Sequence, residues 1–209
     1  MRAPLLLYLG SGAEALPLVA AVAWRRFHGA RLWIAAWSAV LVVCDLLQLW
    51  LGSRGVHNLW VNYIATAAGA LVLWALAYWQ TRDTARLTLR VAVVPFLAAL
   101  AVLTLLLEDT SKFSRAADPM ANLICLAAAA YTLLARSLGS AAQLLRQDWF
   151  WISAGLALYF GIWSAMGPLG SLLVGPSPGL LVIAYQVAMA LNIVAFLAIA
   201  RGVTCPAAT

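Results

Sequence analysis

The chain has 209 residues, a formal net charge of +6, and only 10% charged side chains against 65% hydrophobic ones. Soluble domains carry about 25% charged and about 45–50% apolar residues, so this composition excludes an ordinary water-soluble fold. With a mean hydropathy of +0.94 and apolar runs that repeatedly reach the roughly 20 residues needed to cross hydrocarbon, it predicts an all-α, polytopic membrane helix bundle. Residues 1–209 form one transmembrane domain.

In chain order, seven spans are predicted. The first runs from about Ala3 to Trp24. Arg2, the apolar run from Pro4 to Leu9 and Ala13-Glu14-Ala15 imitate a signal peptide, but apolar residues resume at Leu16, so the stretch is read as a span. The second covers 31–52, the third 58–80 and the fourth 91–107. Asp118-Pro119 opens the fifth, with Asp as N-cap and Pro in the first turn. Asp148 caps the sixth, which kinks at Gly167-Pro168, and after the turn at 175–179 the seventh runs to about Ala200.

Basic residues orient the bundle. Nine (Arg25, Arg26, Arg31, Arg82, Arg86, Arg90, Arg136, Arg146, Arg201) fall at one set of span ends, and four (Arg2, Arg54, Lys112, Arg115) at the other. Positive residues are retained on the cytoplasmic side, which puts the N-terminus outside and the C-terminus in the cytoplasm of a bacterial inner membrane. The same scatter of one to three basic residues per gap excludes a nucleic-acid surface. The partners expected are membrane lipids and a membrane or cytoplasmic signalling component. Cys44, Cys125 and Cys205 form no ligand motif, and His is limited to His28 and His57, so no metal or other cofactor is expected.

Function is sought among polar groups inside the spans, because each is costly in hydrocarbon unless paired or hydrated. Glu14 lies near the midplane and Asp45 in the outer half. Gln48 shares a helix face with Asp45, being three residues on. Asn58 and Asn62 are one turn apart, Asn122 lies near the outer end of the fifth span, and Gln186 is one to two turns into the seventh. Together these seven residues predict an outward-facing, ligand-binding polar pocket, although interhelical hydrogen bonding explains any of them singly. Glu14 and Asp45 can share a proton, since like charges in low dielectric do not both ionise. Asn192 alone falls in the inner half. Arg146, Asp148, Trp149 and Trp151 are read as capping and interfacial anchoring, the stripe Tyr185, Met189, Asn192, Phe196 as packing, and Gly155 and Gly161 as close helix contacts.

Leu16-Pro17-Leu18, Asn58-Leu59-Trp60, Asp148-Trp149-Phe150-Trp151-Ile152, Leu158-Tyr159-Phe160 and Asn192-Ile193 resemble stretches of a group of uncharacterised bacterial seven-helix membrane proteins. Members look like parts of signalling systems, so the resemblance implies a sensor or receptor-like role and carries over no catalytic residue. Asp45 in Val43-Cys44-Asp45-Leu46 also looks like the intramembrane aspartate of the eight-helix lysoplasmalogenase family, without the glycine expected before it. That likeness implies a membrane hydrolase using Asp45 and Glu14. An accessory subunit of a larger membrane complex and a small transporter would fit the same composition.

Overall fold

The computed structural model describes residues 5–110, 114–137, 141–173 and 178–205. Ten helical segments are described, and nine of them build seven rods. The first rod is α1 (Leu5–Ala13) followed by α2 (Leu16–Ala23), the second is α3 (Ala30–Ser53), and the third is α4 (Val61–Ala67) followed by α5 (Gly69–Ala77). The fourth to seventh are α6 (Asp83–Leu106), α7 (Ala117–Arg136), α9 (Asp148–Leu173) and α10 (Pro178–Thr204), and α8 (Ala141–Leu144) is a single turn in a connection. Five helices are long and apolar enough to cross a membrane; the first and third rods, Tyr8–Ala23 and Val61–Ala77, are shorter apolar ones.

The rods close into a ring. α10 packs on α9 and on α1–α2, α9 on α7, α3 on α2 and α5, and α6 sits at the edge against α5 and α7. At the centre, Trp37 stacks on Phe196 with ring centroids 5.6 Å apart and meets the Tyr159 ring edge-on at 5.2 Å. Ile34, Leu73, Leu76, Ile152, Leu156 and Ile199 complete this core. The outside is equally apolar: Leu105 (80% exposed), Leu134 and Val94 point away from the bundle. Such a surface is an aggregation hazard in water and ordinary in lipid.

Helices in lipid gain little from hydrophobic exclusion of one another, so close approach depends on small residues. The α9–α10 seam illustrates this: Gly155 rests on α10 at Ala195 and Ile199, and Gly202 rests on α9 at Asp148 and Ile152. Gly155 is therefore the close contact expected; Gly161 has only ordinary clearance from Leu126.

Two predicted caps differ from what forms. α7 begins at Ala117 with Ala116 as N-cap, so Asp118 lies inside the first turn and its carboxylate is free to bond across to Thr66. Asp148 does accept the Trp149 N–H at 2.7 Å, but its other oxygen goes elsewhere. α9 continues past Gly167 and Pro168 as one helix. Of the predicted turn at 175–179, residues 175–177 lie outside the described residues, while Pro178 and Gly179 are the first residues of α10 rather than part of a turn.

Candidate functional site

The first rod is interrupted where its carboxylate stands. Pro17 has no N–H and cannot bond the Ala13 carbonyl four residues back. The chain tightens instead, with Glu14 N–H to Ser11 O and Ala15 N–H to Gly12 O, both 3.2 Å, before α2 resumes. The joint leaves backbone acceptors at the C-terminal end of α1, and the Ser38 hydroxyl of α3 crosses to donate to the Glu14 carbonyl at 2.5 Å. Irregular backbone at membrane depth persists where protein covers it. Here the cover is α3 and α10.

Three polar side chains meet at this joint. Glu14 is 8% exposed and Asn192 1%. The Asn192 Nδ2 donates to Glu14 Oε1 over a long 3.5 Å, and the Asn192 Oδ1 is buried without a partner. Asp45, two turns beyond Ser38 on α3, is close enough to Glu14 for the carboxyls to act on each other electrostatically, and Ser11 of α1 hydrogen-bonds it. Its Oδ2 is also buried and unpartnered. The structure thus brings together the two expected carboxylates and adds Asn192, which its place along the seventh span assigns to the inner half.

One turn further along α3 the amides pair. Gln48 Nε2 donates to Asn62 Oδ1 at 2.5 Å, and Asn58 Nδ2 donates to the Gln48 carbonyl at 2.9 Å. These three residues are half-buried and satisfy one another across the α3–α4 contact. Thr66 links them onward, donating to the Asn62 carbonyl at 2.9 Å, while its hydroxyl also bonds Asp118. Polar groups therefore run from the joint at Glu14 along α3 toward the end of the bundle that carries Asn58. Asn122 is half-buried on α7, one turn from Asp118, and Gln186 is exposed on the outer face of α10. Gln186 does not join the other residues.

At that same end Glu108 ties down the α6–α7 connection. Its Oε1 accepts Ser114 Oγ at 3.0 Å and the N–H groups of Arg115, Ala116 and Ala117 at 2.8, 2.6 and 3.0 Å. Burial alone would raise its pKa, but the Ala116 and Ala117 N–H groups and the Tyr63 and Ser114 hydroxyls outweigh it and hold the carboxyl below its ordinary value. A depressed carboxylate contributes stability that is complete above the unfolded value, about 4.3, and lost as pH falls through the folded one. Hydrogen exchange at the Ala116 and Ala117 amides should therefore keep its protection through the ordinary carboxyl range, about 4.3, and lose it only at lower pH. Protection that persists in Glu108→Gln would show that the carboxylate is not the latch.

The opposite end holds what the sequence does not announce. Arg31, 2% exposed at the start of α3, donates through Nη2 to Asp148 Oδ2 at 2.9 Å and to the Cys205 carbonyl at 2.8 Å. Beside it, Arg136 Nη1 donates to the Trp79 carbonyl at 2.9 Å and lies 5.1 Å over the Trp149 ring. Gln80 bonds Thr132 at 2.9 Å, and Arg86 bonds the Gln80 carbonyl at 3.0 Å. The ends of five rods and Cys205, just after α10, are clamped here. Asp148 is thus more than a cap, whereas Arg146 is exposed as interfacial anchoring requires.

No family model, curated protein or solved structure matches this chain. The three cysteines are free and buried.

Proposed function

We propose that the chain is a seven-span, receptor-like component of a bacterial inner membrane that binds a small polar ligand at the Glu14–Asp45–Asn192 centre. The observation that carries this is the pair of buried, unpartnered oxygens, Asp45 Oδ2 and Asn192 Oδ1, beside Glu14 at a break in the first rod. Hydrogen-bond glue usually satisfies such atoms, as in the Gln48–Asn62 pair, and here two of them face one joint. Discontinuous helices at the midplane recur where membrane proteins hold polar solutes, because the interruption frees backbone groups for the ligand. The nine-to-four distribution of basic residues supports an N-terminus outside and a cytoplasmic C-terminus. In that orientation Gln48, Asn58 and Asn62 line the approach from outside, and the Arg31–Asp148 end faces a cytoplasmic signalling partner.

Thiol labelling tests orientation and access together. In a chain with Cys44, Cys125 and Cys205 replaced, single cysteines at Arg115, Asn58, Asp45 and Arg146 are treated from outside with a small charged thiosulfonate. The first three should react, in falling order of rate, and the cysteine at 146 should react only after permeabilisation. Labelling at 146 from outside would reverse the topology. A cysteine at 45 that reacts from neither side would make the centre a sealed structural contact. Turnover of lysolipid lost in Asp45→Asn would instead establish a hydrolase.

A further inference from the structure

The centre has more acceptors than donors. Glu14 receives one long N–H from Asn192, Asp45 one bond from the Ser11 hydroxyl, and the Ser38 hydroxyl is committed to the Glu14 backbone carbonyl. Asp45 Oδ2 and Asn192 Oδ1 receive nothing, and Pro17 offers no N–H to the Ala13 carbonyl. These oxygens come from three different rods, so no rearrangement within one helix supplies the missing donors. The C-terminal pole of α1, a nine-residue helix, ends at the same joint and adds its partial negative charge.

We propose that the centre binds one alkali-metal ion, held by Glu14, Asp45, the Asn192 Oδ1 and the freed carbonyl at the end of α1. This inference rests on reading the centre as a ligand site, and it names the ligand. A proton completes a single O–H···O bond and leaves the remaining oxygens unpaired, whereas a cation takes several oxygens as ligands at once. Unwound carbonyls and half-helix C-termini are the groups that hold such ions in discontinuous membrane helices. Calcium needs six to eight oxygens, and magnesium keeps several waters. Among the described residues no group of three His, Cys, Asp or Glu side chains is placed to hold a metal, so a divalent or transition ion lacks its ligand set here. With one proton shared between Glu14 and Asp45, the pair carries a single negative charge, which one monovalent ion balances.

The test is thermal unfolding of the purified protein in nanodiscs, followed by tryptophan fluorescence in sodium, lithium, potassium, calcium or choline chloride at equal ionic strength. Sodium or lithium at ten times its Kd should raise Tm by about 4 °C over choline. Asp45→Asn and Asn192→Leu should each remove that increment while melting cooperatively in choline. If either variant fails to fold, Glu14→Gln serves in its place. Equal Tm in all five salts, a shift with calcium alone, or an increment that survives Asp45→Asn would overturn the assignment. Outside labelling of the cysteine at 45 combined with equal Tm values would remove the ion while leaving the accessible centre standing.

Discussion

Asp148→Asn should be among the most destabilising single substitutions in this protein. It removes the negative charge facing the Arg31 guanidinium, which is 2% exposed and otherwise bonds the neutral Cys205 carbonyl. Removing one member of a buried ion pair costs about 3–5 kcal/mol, because the remaining charge stays desolvated. For a chain of this size that lowers Tm by about 10 °C. Replacing both members, as Arg31→Met with Asp148→Leu, should recover most of the loss, since well-packed apolar substitutes of a buried pair are often neutral. Melting curves of the two single variants and the double variant decide it. A single variant within about 2 °C of wild type would mean that water or lipid headgroups reach Arg31.

The second large effect lies in the adjoining seam. A Cβ on Gly202 would stand 2.5 Å from Ile152 Cγ1 and 2.9 Å from both the Asp148 carbonyl and the Ile152 N. On Gly155 it would stand 2.6 Å from the Ala195 carbonyl and 3.1 Å from the Ile199 N. Backbone atoms cannot rotate aside, so α9 and α10 must separate. Gly202→Ala and Gly155→Ala should each cost about 3 kcal/mol, the upper part of the usual overpacking range. Gly12→Ala is the control: nothing lies within 4 Å of the added methyl, and helix propensity alone favours alanine by about 1 kcal/mol. Gly10 contrasts in another way, because its close neighbour at 2.7 Å is the flexible Met189 thioether. Equal melting of Gly202→Ala and Gly12→Ala would show that the seam has slack. Because Gly202 rests on the Asp148 carbonyl, separating it should also weaken the Arg31 pair.

The helical rods can be read from the apolar runs because each is long and bounded by arginine, proline or glycine, signals local to the chain. The joint at Glu14 is half legible. Pro17 marks where a hydrogen bond must be missing, but nothing in the sequence says that the helix tightens and restarts there. Glu14 and Asp45 stand out as carboxylates among apolar neighbours, and they are brought together. Their amide partner is not legible in the same way, since depth along a rod does not fix the direction in which a side chain points. For that reason Gln186 faces outward while Asn192, six residues on, faces Glu14. Asp118 bonds Thr66 across 52 residues, and Arg31 bonds Asp148 across 117. Such distant pairs leave no periodicity. Opposite charges at the same predicted depth, both beside tryptophans, are the one signal the sequence offers for Arg31 and Asp148.

The joint in the first rod also bears on how the chain is made. Glu14 and Asn192 are 178 residues apart, so the carboxylate enters the membrane long before the amide it will face has been synthesised. An apolar segment interrupted by a carboxylate is a poor insertion signal by itself. The first rod therefore depends on the last to hold it at full depth, and the ring closes only after the last rod has been made. The contact between the first rod and the last, far apart in sequence, is what closes the bundle.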